Sequence, residues 1–148
     1  MIESLFNEVK KSFPEINARI KPFDKKSFMF SSPYSKNIYY NSKQLKDFKF
    51  SDIALKGALA HELSHKVDYK KMNIFQVLII KSRYKKDANF KKKIECNADK
   101  IAIERGFGEE LIQLMKETKE KYPKERFEKR IKPFHLTISE MHILIKNN

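Results

Sequence analysis

The chain has 148 residues, with 32 lysines and arginines against 19 aspartates and glutamates, a net charge of +13, and 41% hydrophobic side chains. That length fits one domain, and the composition excludes a disordered or collagen-like chain. A single cysteine, Cys96, excludes an internal disulfide, and three glycines leave no phosphate-cradling loop.

Residues 1–13 set Ile2, Leu5, Phe6, Val9 and Phe13 on one helical face, ended by Pro14. This stretch contains acids and lacks a small-residue cleavage site, so it does not read as a signal peptide. Residues 17–42 change character, with aromatic and β-branched runs at 18–22, 28–30 and 36–41 and turn signals at Asp24 and Pro33. They read as three short strands of a mainly antiparallel sheet, which must pack on helices to be stable. Ser51 and Asp52 cap a helix running to about Tyr69. Residues 72–84 read as a further helix whose Phe75, Leu78, Ile79 and Ile80 are assigned to the core ahead of a membrane-surface anchor. Asp87 caps a helix that stops at Gly106, residues 108–121 form another ended by Pro123, and Thr137 to Ile145 form a last one capped by Thr137 or Ser139. The fold class expected is α+β: a small three-stranded sheet on a helical bundle, one domain over 1–148. The segment 124–148 is long enough to cover a cleft. No apolar run approaches the roughly 20 residues of a membrane helix. A cytoplasmic protein without a membrane partner, monomeric or homodimeric, is expected.

His61-Glu62-Leu63-Ser64-His65 is an HExxH pattern inside the helix that Ser51 opens. Four helical residues turn the chain by about 400°, so both imidazoles leave one face. That spacing lets two ring nitrogens bind one zinc at about 2.0–2.1 Å. Glu62 then stands beside the metal, where it can take a proton from an attacking water and pass it to the leaving amine. A catalytic zinc needs a third protein ligand. His135, His142 and Cys96 are candidates, and Glu95 is the best, 30 residues after His65 and on the next long helix but one. Asp99 lies one turn beyond Glu95, placed to hydrogen-bond the outer nitrogen of a ligand histidine, His61. One Zn2+ per chain is expected.

His61 to His65, followed by Glu95-Cys96-Asn97-Ala98-Asp99, resembles the gluzincin pattern, HExxH then ExxxD on a second helix. It is similar to the minigluzincins and to the catalytic cores of the HtpX-like peptidases, over about residues 35–105. The resemblance implies a zincin-like fold and a zinc-dependent endopeptidase acting on peptide or unfolded protein. It implies zinc ligation by His61, His65 and Glu95, Glu62 as general base, and Asp99 behind the ligands. It also implies an edge strand, placed at 36–41, whose Ile38, Tyr39 and Tyr40 would bind substrate by β-addition. Ser64 replaces the glycine usual in HtpX-like proteins, and no pair of membrane helices follows the motif. His135 faintly resembles a histidine before the final helix of those enzymes, although the proline that follows there is absent. His135 and Tyr122 are therefore candidates for the donor to the oxyanion. The segment 124–148 leaves a self-restrained zymogen open.

The alternative is a basic, nucleic-acid-associated protein with a structural or inactive metal site. The charge favours it. Its distribution does not: 27 of the 32 basic residues are lysine, spread along the chain, whereas arginine is the better reader of phosphate and guanine. A SprT-like protease acting on DNA-bound proteins would use a third histidine where this chain offers Glu95.

Overall fold

The computed structural model describes residues 1–24 and 27–148. Among them the chain order is α1 (Ile2–Lys10), β1 (Arg19–Pro22), β2 (Met29–Ser31), β3 (Asn37–Tyr40), α2 (Ser42–Phe48), α3 (Asp52–Lys71), α4 (Ile74–Lys86), α5 (Ala88–Glu104), α6 (Gly108–Lys121), α7 (Lys124–Arg130) and α8 (Ile138–Lys146). The class is α+β and mostly helical.

Everything is arranged around α3. Leu55, Leu59, Leu63 and the alanines at 54, 58 and 60 are buried on it, so it is apolar nearly all round at its N-terminal half. A helix of that kind belongs inside a molecule. Each fully buried leucine contributes about 1.5–3 kcal/mol of transfer free energy. The Ser51 hydroxyl accepts from Ala54 N–H at the N-terminus, and Glu117 of α6 accepts from both Ser51 N–H (3.0 Å) and the Ser51 hydroxyl (2.5 Å). The cap of α3 is thus fastened to α6.

Gly57 lets these two helices touch. A Cβ there would overlap the backbone carbonyl of Glu110. In an exposed helix, Gly→Ala stabilises by about 1 kcal/mol. Here the sign reverses: Gly57→Ala is expected to cost about 1–3 kcal/mol through overpacking, read as a lower urea midpoint.

The second long helix, α5, lies against α3, and Asn97 donates to both carboxylate oxygens of Asp68 across the pair (2.8 and 2.7 Å). Asp87 caps α5 by accepting from Phe90 N–H. Its far end closes on Gly106 at φ +90°, with Gly106 N–H on Ile103 O and Phe107 N–H on Ala102 O, a Schellman turn. The N-terminal helix α1 packs its Ile2, Leu5, Phe6 and Val9 face on α3.

The sheet departs from expectation. β3 is its central strand, parallel to β1 and antiparallel to β2, so the sheet is mixed rather than mainly antiparallel. Ile38, Tyr39 and Tyr40 pair on both sides, with Ile20, Lys21 and Pro22 and with Ser31, Phe30 and Met29. Their backbone has no open edge for β-addition. The strand at the edge on the α3 side is β2.

Three helical segments also differ. Asn41 caps α2 and Pro123 starts α7, two short helices that carry no strong periodic signal. More consequential, α4 turns its apolar residues outward: Ile74, Phe75, Leu78 and Ile79 are 70%, 75%, 62% and 50% exposed, and only Ile80 is buried. They are not core residues. α8 rests on α5 and α6 through Met141, and the stretch before it forms one wall of a cleft.

Candidate metal centre

A cleft of about 610 Å³ opens between β2, α3, α4, α5 and the segment around His135. His61, Glu62 and His65 reach it from α3 and Glu95 from α5. The helical spacing of four turns both imidazoles of α3 toward α5. Their Nε2 atoms are 3.0 Å apart. Glu95 Oε2 stands 3.0 Å from His61 Nε2 and 3.6 Å from His65 Nε2. The three side chains are buried, and their ligand atoms lie within 4.8 Å of one another.

Asp99, one turn beyond Glu95, is a hub. Its carboxylate accepts from His61 Nδ1–H (2.8 Å), His135 Nδ1–H (3.2 Å) and Leu136 N–H (3.0 Å). A proton held on Nδ1 leaves the Nε2 lone pair of His61 aimed at Glu95 and His65. With the Nε2 protons removed, the three facing atoms are all acceptors and would need a positive charge between them to stay buried. The donor set therefore fits a cation of zinc's preferences, two imidazoles and one carboxylate. A second grouping, His61, Asp99 and His135, also lies within 4.8 Å. It fits a metal less well, because the Asp99 oxygens are occupied by N–H donors and the facing Nδ1 atoms carry those protons.

Without a cation, protons on the imidazoles hold the same network together. Burial opposes charge on His61, but Asp99 and Glu95 outweigh it and hold the ring well above its usual value. Burial likewise opposes charge on Glu95, while His65 and His61 keep it well below the carboxylate range. Asp99 is depressed in the same way by His135 and His61. Glu62 goes the other way: burial raises its carboxyl, against the pull of His65 and His61.

Further residues, absent from the sequence reading, shape the site. The Tyr84 hydroxyl of α4 donates to Glu95 Oε1, and burial with the Glu95 charge pushes that phenol up. Tyr69 stacks on His65, centroids 5.8 Å apart and planes at 10°. It steadies a ring whose buried Nδ1 has no hydrogen-bond partner among the described residues. Tyr69 lies four residues after His65, so helical spacing could have found it; no local signal points to Tyr84. The buried Lys66 amine donates to Ser32 O (2.7 Å) and Ser35 O (2.5 Å), pinning the turn after β2 to α3. Burial brings that amine down to about 8, against the influence of Glu62.

The other candidates are placed as follows. His135 lines the cleft, its Nε2 3.6 Å from Glu95 Oε2. Tyr122 is buried at the cleft wall against Phe48, ring centroids 4.6 Å apart. Cys96 faces away, its thiol donating to Phe134 O. His142 is exposed on α8. Ile38, Tyr39 and Tyr40 do not line the cleft, whereas Phe28, Met29, Phe30 and Ser31 do. Comparison with protein-family models, with curated proteins and with solved structures found no match.

Proposed function

We propose that the chain is a zinc-dependent endopeptidase of zincin-like architecture acting on extended or unfolded polypeptide. The observation that carries this reading is the convergence of His61, His65 and Glu95 in a cleft that also receives Glu62. His61 Nε2, His65 Nε2 and Glu95 Oε2 would hold the ion, with Asp99 and Tyr84 fixing two of the three ligands from behind. A zinc ion bound there polarises a carbonyl and makes water more acidic.

Glu62 is the proton carrier. Its carboxylate removes a proton from the attacking water and delivers it to the departing amine. A carboxyl raised by burial suits that exchange, since the best catalytic base has a pKa near the working pH. Of the two edge strands, β2 is the one that lines the cleft, so β-addition is assigned to residues 29–31. His135, on the cleft wall with its Nε2 3.6 Å from Glu95 Oε2, would be the donor to a developing oxyanion. With Nδ1–H on Asp99, it donates there only as the doubly protonated ring.

The test is metal content together with hydrolysis. The purified chain is expected to hold about one zinc, to cleave an unstructured protein such as casein, and to lose both properties to a chelator and regain them with zinc. Absence of zinc after incubation at neutral pH, or hydrolysis indifferent to chelation, would sink the reading and return attention to the basic surface. Zinc should also stabilise the fold. At a thousandfold excess over Kd the gain is about 4 kcal/mol, a rise in Tm on the order of 10 °C by calorimetry.

A further inference from the structure

The solvent face of α4 is divided along its length. Ile74, Phe75, Leu78 and Ile79 occupy the first two turns and are half to three-quarters exposed. Lys81, Arg83, Lys85 and Lys86 follow on the next two turns, all exposed. Lys70 and Lys71 end α3 just before the apolar tip. Residues 69–86 contain six basic side chains and no acid. Tyr34, itself 52% exposed, leans on this helix with its hydroxyl on Leu78 O. Four large apolar side chains together in water are costly, at about 25 cal/mol for each Å² of apolar surface exposed. Such a patch marks a surface that meets something.

We propose that the tip of α4 inserts into the interface of an anionic membrane, with the surrounding lysines at the headgroups. The apolar run of residues 72–84, Ile80 excepted, is thus taken as a membrane-surface anchor rather than as core, against the expectation of no membrane partner. An exposed apolar helical face flanked by lysines is what interfacial helices bury, to roughly 5–10 Å, at the headgroup boundary. The basic collar lies on both sides of that tip, at 70–71 and 81–86. Each lysine near an anionic leaflet adds about 1 kcal/mol. The same collar disfavours a second copy, because a symmetric contact would press two cationic rings together. An apolar stretch of unfolded polypeptide would bury the tip but make no use of the charges. Ile80, Lys81, Tyr84 and Lys85 of the same helix line the cleft, so docking by the tip sets the cleft beside the bilayer. The inference stands whether or not the chain is a peptidase.

The test is sedimentation of the full chain with vesicles of phosphatidylcholine alone, and with vesicles in which phosphatidylglycerol replaces about a third of it. Binding to the anionic vesicles is expected to be at least about tenfold tighter than to the neutral ones. It should weaken at least about tenfold in Phe75→Ser/Leu78→Ser and again in Lys71→Glu/Lys86→Glu, with helix content by circular dichroism unchanged. All four side chains are exposed, so the variants should fold. Equal binding to both vesicle types, or to neither, would overturn the proposal. So would anionic binding that survives loss of Phe75 and Leu78, since that is surface charge alone. A concentration-dependent dimer abolished by the same apolar variant would assign the patch to a second copy instead and overturn it as well.

Discussion

Glu62→Gln is expected to lower peptide hydrolysis about 10²–10⁴-fold while leaving zinc content near one per chain. The substitution keeps the shape of the side chain and removes its ability to take a proton. Glu62 is not among the three ligand atoms that converge within 4.8 Å, so metal binding should not change. The loss should fall on kcat/KM and kcat together, as for an interaction made only in the transition state. Cleavage of casein at two substrate concentrations, with elemental analysis of the same samples, checks it. Activity within a few-fold of wild type would remove Glu62 from the chemistry and assign the proton transfer to another group.

The second large effect is expected at Asp99. Asp99→Asn should weaken zinc about 10–100-fold, the usual cost of removing the acceptor behind a ligand histidine. It should also destabilise the metal-free fold. His61, His135 and Leu136 each present an N–H to this carboxylate, and an amide turns donors toward some of them. Each buried donor left without an acceptor costs about 1–3 kcal/mol. Competition with a zinc-sensitive dye measures the first effect and urea unfolding in chelator the second. A variant with wild-type zinc affinity would mean that His61 is oriented by packing alone. Glu95→Gln would not separate these contributions, because it alters a ligand and the partner of Tyr84 at once.

The site was legible where its geometry is local. Two histidines four apart, and Asp99 four beyond Glu95, share helical faces whatever else the chain does, and these residues do come together. The caps at Ser51, Asp87 and Thr137 were readable because a capping side chain serves N–H groups only three residues away. What was not legible depends on distant partners. β3 is central only because β1 joins it in parallel from across a connection, a pairing that no turn residue announces. Ile74 to Ile79 look like core on periodicity, and only the way α4 packs on α5 decides that Ile80 is inside and the rest are not. Tyr84 meets Glu95 from another helix, so neither residue's neighbours mark the contact.

The Asp99 hub orders events in time. Its three donors lie 38 residues before it and 36 and 37 after it, so the carboxylate stays partly unsatisfied until residue 136 has been made and docked. Contacts of such separation form late, after local helices are in place. Until Asp99 has been made and α5 has docked, His61 has a ring free to choose either tautomer. In the zinc site proposed above, selective uptake would therefore be coupled to the docking of α5 on α3: a truncated chain that ends before Asp99 has the motif but lacks the carboxylate behind it.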